Sequence, residues 1–459
     1  MQSFLLSLFG KLVCLTAAIS LAVPSSAFAA GREKASLPIV RDAEIESLVR
    51  EYAQPILNAA GLSRSGIETV LVNSGDFNAF VLGRRIFVNT GAITATETPN
   101  QLIGILAHEI GHLAGGHQQR LREKLEGAQA IAIVAALLGA GVAAAGAASG
   151  VDGAPGVGAG IFSGGANMAQ RSILAYQRGE EATADRAAIS YLNKTGQSAR
   201  GLIETFQILD RSNLFSGSQG RTYLSSHPMP RDRIAAIEEA ARKSPSFGRA
   251  DPPALVERHD MARAKIAAYN GGMGAVRRMF AKDPRGLPAA YGDAIATFLA
   301  GSTASALQKI DRLIAARPNN PWFHEMRGEI LMAAGRGGEA ARAYSQAMRL
   351  DRSNSGILKA EVGQALVSSG NPADLDKAVE LIQAGLKDDP MNALAYRFLA
   401  MAYGRMGDVG RAELATAEGY WHGGAFRDAK IFAARAQQKL KPGTPAWRKA
   451  QDILSTKTR

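Results

Sequence analysis

The chain has one cysteine, Cys14, in 459 residues. Outside the first thirty residues there is therefore no disulfide, no thiolate metal site and no cysteine nucleophile. Long apolar runs are almost as scarce, which argues against a polytopic transporter. Hydrophobic residues make up 46% and charged residues 20%, the balance of a folded protein, and a collagen-like or disordered chain is excluded with them. The length fits two or three domains. The charge is not balanced: 53 Lys and Arg stand against 41 Asp and Glu, a formal excess of +12 that leaves room for an anionic partner.

The N-terminal segment reads as an export signal. Lys11 precedes an apolar run from Leu12 to Val23, and Ala27-Phe28-Ala29 supplies the small-x-small pattern for cleavage before Ala30. Residues 1–29 are expected to be a signal peptide and the mature chain periplasmic. Export makes nucleic acid a poor partner and points the basic excess towards envelope lipids, as peripheral contact, or acidic protein surfaces.

The mature chain reads as two parts, 30–250 and 251–459. In the first, apolar residues at helical spacing predict a helix over about 41–60. Strand-type stretches follow at 68–72, 79–82 and 85–89, with Gly83-Arg84 as a tight turn. Thr98 or Asn100 is expected to cap one helix running through Gln101 to about Leu125. The uncharged stretch Ala130–Ala148 is expected to be a buried or interfacial helix, with a membrane span as the alternative. The Gly-rich stretch Gly146–Gly165 is expected to be a mobile loop or lid. Helices are expected over about 167–193, 199–209 and 231–243. The Pro-containing stretch 244–253 reads as the boundary.

The second part repeats. Ala306, Ala340, Ala378 and Ala412 are spaced 34, 38 and 34 residues apart, and the longer step holds Asn371-Pro372-Ala373-Asp374. Gly335, Gly370 and Gly407 fall at the turns between paired helices. With Gly328, Leu331, Tyr344 and Ala347 at packing positions, this is the tetratricopeptide pattern. Gly424, Ala429 and Ala436 continue it after half a step. The fold class expected is α+β, mostly α: a first domain with a small sheet, then an α-solenoid of tetratricopeptide-type repeats.

The chemistry lies in His108-Glu109-Ile110-Gly111-His112. Residues i and i+4 share a helix face, so both imidazoles can hold one Zn²⁺, and Glu109 can take a proton from water there. Three candidates exist for a third ligand: His117, a downstream carboxylate, and His227. A continuing helix turns His117 away, which makes it packing or support. Glu181 is the better candidate, with Asp185 one turn later placed to accept a ligand histidine's ring N–H. His227, in His227-Pro228, either donates to the oxyanion or occupies the open metal position. Arg233 either adds a second donor or pairs with an acid. An extended substrate is expected to add to the strand Ile86-Phe87-Val88-Asn89.

Together, His108 to His112 with His117, Glu181 to Asp185, His227-Pro228 and Arg233, and the stretch Asn78-Ala79-Phe80 … Ile86 to Gly91, resemble the gluzincin peptidases that include the CAAX prenyl protease and the bacterial heat-shock membrane protease. The export signal and the repeats direct the resemblance to periplasmic relatives. It implies one Zn²⁺, endopeptidase activity on misfolded or stalled outer-membrane proteins, and repeats that contact the outer-membrane assembly machinery. Two alternatives stay open. One is a chaperone or adaptor acting through its repeats with a latent protease. The other is a membrane-embedded enzyme of the prenyl-protease kind.

Overall fold

The computed structural model describes residues 37–126, 176–214, 223, 227 and 231–457. The export-signal reading and the two stretches Ala130–Ala148 and Gly146–Gly165 lie outside these residues. Among the described residues, no helix is long and apolar enough to cross a membrane.

The chain enters through a short strand β1 (Ile39–Val40) and helix α1 (Ala43–Ala59). The Asp42 carboxylate starts α1 by accepting from the Ile45 N–H at 2.8 Å. Ile45, Leu48, Val49, Tyr52 and Ile56 form its buried stripe. Three further strands follow: β2 (Glu68–Val72), β3 (Ala79–Leu82) and β4 (Arg85–Asn89). The sheet order is β1-β2-β4-β3, with β4 parallel to β2 and antiparallel to β3. Strand β4 is thus central, and its backbone bonds are taken on both edges. The expectation that a substrate strand adds to Ile86, Phe87, Val88 and Asn89 is corrected here: the outer strand beside them is β3.

After β4, a short helix α2 (Thr90–Ala95) leads to α3 (Pro99–Gly115), which is buried from Pro99 through His112. Helix α3 does not run on to Leu125. Gly116 adopts φ 66°, a left-handed conformation that ends the helix, and α4 (117–126) sets off in a new direction. Two helices pack against α3: α5, described over 176–194, and α6 (Arg200–Leu214). The approach of α5 depends on Gly111, because a Cβ there would stand 2.9 Å from the Ala184 carbonyl oxygen. Helix α7 (Arg231–Arg242) then packs on α6. One apolar core joins α1, the sheet, α3, α5, α6 and α7.

Helix α8 (Pro253–Met279), kinked at Gly272, opens the helical array. The chain continues through α9 (Leu287–Leu299), α10 (Thr303–Ala316), α11 (Pro321–Ala333), α12 (Gly337–Leu350), α13 (Gly356–Ser369), α14 (Leu375–Asp388), α15 (Ala393–Arg405), α16 (Val409–His422), α17 (Phe426–Lys439) and α18 (Pro445–Ser455). These are tetratricopeptide-like hairpins, with Gly335, Gly370 and Gly407 at positive φ in the turns. Ala306, Ala340 and Ala378 are fully buried on second helices, while Ala412 is partly buried. The half step to Ala429 has a simple cause: α17 is a single helix stacked directly on α16. The Asn371–Asp374 insertion holds a 3₁₀ turn, Pro372–Asp374.

Helix α8 also fastens the array to the first core. His259, fully buried, lies 3.2 Å from the Tyr52 hydroxyl and 2.9 Å from the Thr96 carbonyl. Lys265, 2% exposed, reaches Asp42 at 2.7 Å, Glu325 at 3.1 Å and Glu44 at 3.4 Å. Burial drives Glu44 up to about 7 and Glu325 up to about 8, against the pull of Lys265. Lys265→Met removes the one cation facing three carboxylates. It is expected to cost about 3–5 kcal/mol in chemical unfolding at alkaline pH. The cost should shrink as the pH falls below 7, where Glu44 and Glu325 take up protons.

Candidate active site

Helix α3 presents His108, Glu109 and His112 from the buried core, and α5 faces it across Gly111. Ala184, the residue that approaches Gly111, lies between Glu181 and Asp185 in sequence. The close helix contact therefore carries both carboxylates to the two imidazoles. His108 Nε2 and His112 Nε2 stand 3.0 Å apart. The Glu181 carboxylate is 3.3 Å from each. His227 brings Nδ1 to 3.0 Å from Glu181 Oε1 and 3.5 Å from His108 Nε2. Four buried donors, His108, His112, Glu181 and His227, thus share one spot. Ligand atoms on a tetrahedral ion at about 2.0–2.2 Å would be about 3.3–3.6 Å apart, close to these spacings.

The supporting contacts decide which ring nitrogens carry protons. His108 Nδ1 faces Asp185 Oδ1 at 2.9 Å. A carboxylate only accepts, so the ring proton belongs on Nδ1 and the Nε2 lone pair points into the cluster. His117 Nε2 faces Glu180 Oε2 at 2.6 Å and holds the proton there. Its Nδ1 then accepts from His112 Nδ1–H at 2.8 Å, which leaves the His112 Nε2 lone pair pointing inward too. Two lone pairs and a carboxylate converge in a buried place, an arrangement that needs a cation among them.

Titration behaviour agrees. Burial lowers His108, but its contacts with Asp185 and Glu181 prevail and raise it to about 9. Burial holds His112 down at about 4. Glu181 suffers burial too, yet its contacts with His108, His112 and His227 keep it well below the usual carboxylate range. In the metal-free protein a proton on His108 joins the Arg233 guanidinium in supplying positive charge beside Glu181. A metal ion must displace that proton, so apparent metal affinity should rise about tenfold per pH unit up to about 9 and flatten above. Competition with a chromophoric chelator across pH measures this.

Glu109 is 1% exposed, and neither carboxylate oxygen has a hydrogen bond; His227 Nε2 lies 3.4 Å from Oε1. Burial raises its pKa. Arg233 takes the pairing alternative. Its guanidinium grips Asp185 at 2.5 and 2.8 Å and Glu181 at 2.8 Å. Of the two roles the sequence allows it, this geometry is that of an acid partner bracing the carboxylates of α5.

His117 is nearer the site than a continuing helix would put it. The turn at Gly116 swings it back under His112. Glu180, passed over for Glu181 in the sequence, is its partner, and Arg120 holds Glu180 at 2.7 Å. Tyr223 is the other residue missed; its buried ring lies 4.6 Å from that of His227. Only its short distance from His227 in sequence could have flagged it. A cavity of about 180 Å³ opens at Glu109, His112 and His227, and Phe80, Val81, Gln118, Leu121 and Tyr176 line its other sides.

A buried His-His-Glu-His group, three of its members on packed helices, beside a buried glutamate and a cavity, fits a metallopeptidase. The comparisons point the same way: residues 40–241 match the model of Peptidase family M48, a family of zinc-dependent metallopeptidases. The chain is 23% identical over 431 residues to the β-barrel assembly-enhancing protease of Escherichia coli strain K12, covering 90% of this chain and 82% of that one. It is also 23% identical over 420 residues to the Yersinia pestis protein of the same name, covering 90% and 83%. Among solved structures, the array resembles YrrB, a TPR protein with an unusual peptide-binding site (TM-score 0.31, 16% identity, 39% of this chain and 91% of that one).

Proposed function

We propose that the protein is a zinc endopeptidase of the gluzincin type, working in the bacterial periplasm on misfolded or stalled outer-membrane proteins. The relatives named for β-barrel assembly support the setting. The observation that carries the chemistry is the convergence of two inward lone pairs and the Glu181 carboxylate beside the unpaired Glu109. When bound, the ion supplies Lewis acidity to the scissile carbonyl and to an attacking water. His108, His112 and Glu181 would hold it, while Asp185 and His117 orient the two rings and Arg233 braces Asp185. Glu109 takes the proton of the water and delivers it to the leaving amine. The apolar walls at Phe80, Val81 and Leu121 receive a side chain next to the scissile bond.

In this reading His227 is a gate. Its Nδ1 occupies the fourth donor position, which a catalytic zinc site leaves open. That same position favours the second reading, in which a largely latent peptidase is carried by an adaptor whose repeats, 251–459, contact the outer-membrane assembly machinery. Peptidase and repeats are proposed as separate working parts meeting near residue 250. One experiment separates the readings. The zinc-loaded protein is offered an unfolded outer-membrane protein, with and without chelator. Chelator-sensitive cleavage is expected, and no cleavage even after His227→Ala would overturn the peptidase reading.

A further inference from the structure

The outer strand β3 borders the cavity, and one residue already occupies its edge. Leu82 and Arg85 are paired across the Gly83-Arg84 turn, and Phe80 faces Phe87. In a two-residue hairpin these pairs spend their backbone bonds on β4, so the N–H and C=O of Val81 point outward. On that side stands Gln118, at the start of α4. Its Nε2–H donates to the Val81 carbonyl, and the Gly83 N–H donates to its Oε1 at 3.2 Å. The two neighbours have opposite polarity, which fixes the amide's orientation. The backbone that carries Gln118 is set by the left-handed turn at Gly116 and by His117, pinned between His112 and Glu180. Val81, Gln118, Glu109, His112 and His227 line one cavity.

We propose that Gln118 is a displaceable cover for the substrate-binding edge: a side-chain amide that stands in for a peptide unit on β3 and gives way when an extended substrate binds. This rests on the peptidase reading and goes on to say which atoms the substrate engages. An added strand needs the Val81 carbonyl. Folded proteins offer no free strand backbone and leave the amide in place. An unfolded chain offers an N–H donor and a carbonyl acceptor and can replace both bonds. A residue without an N–H, such as proline, cannot do so opposite Val81. The clip also covers an edge that would otherwise invite pairing with another chain.

The test measures binding in the Glu109→Gln protein, where nothing is cleaved, using the fluorescence anisotropy of a labelled, extended, apolar peptide. A series of the same peptide, N-methylated at successive backbone positions, is measured alongside. Gln118→Ala should tighten binding of the unmethylated peptide about tenfold, since two bonds no longer compete. Methylation at one position should abolish that gain. Gln118→Asn, which keeps the polarity but is too short to reach, should behave likewise, and Gln119→Ala should change nothing. Unchanged or weaker binding in both Gln118 variants would overturn the proposal and leave the peptidase reading standing. If no peptide binds any variant, both fall.

Discussion

Glu109→Gln is expected to lower peptide-bond cleavage by about 10²–10⁴-fold while one equivalent of metal stays bound. The two side chains have nearly the same shape, and Glu109 is not among the four converging donors. Its carboxylate is buried, has no hydrogen bond to the described residues and is raised by burial, which suits the proposed role of base. Glutamine cannot take the proton. Metal analysis together with turnover of an unfolded substrate checks the result. Retained cleavage would remove Glu109 from the chemistry, and lost metal would make it a ligand. In a deletion strain the same variant separates the two readings. An adaptor would still complement, whereas removal of residues 254–459 would abolish complementation.

His227→Ala should act in the opposite direction, raising cleavage at least about tenfold, because a closed state that holds most of the population limits the rate by its small open fraction. His227 Nδ1 sits among the donors, and its Nε2 faces Glu109 at 3.4 Å. In the gating reading, one imidazole thus covers the place of the attacking water and contacts the proposed base. Metal affinity should fall, since a ligand is lost, so the comparison must be made at saturating zinc. If activity falls with metal in place, His227 is an oxyanion donor, the role its sequence context also allowed.

The parts of this protein legible in the sequence are those set by short-range geometry. His108 and His112 lie one turn apart, and the strand stretches 68–72, 79–82 and 85–89 alternate between turn signals. The repeat period brings its alanines to the same packing position each time. Glu181 and Asp185 could be chosen because one helical turn puts both carboxylates on the same face. The bend at Gly116 was not legible, because Gly115-Gly116 inside a helical pattern reads equally well as a tolerated interruption. That single left-handed residue decides that His117 returns to His112 and that Gln118 reaches β3.

The sequence alone placed His108, Glu109 and His112 on one helix and set the repeat architecture, because each rests on spacing within one element. Only the tertiary structure decided that β3 and not β4 is the outer strand, since strand order is a matter of hydrogen bonds between distant segments. The same holds for Arg233, which braces Asp185 and Glu181, and for His227, which stands in the fourth donor position. Both depend on how closely α5 passes over Gly111, a distance set by packing that no local pattern encodes.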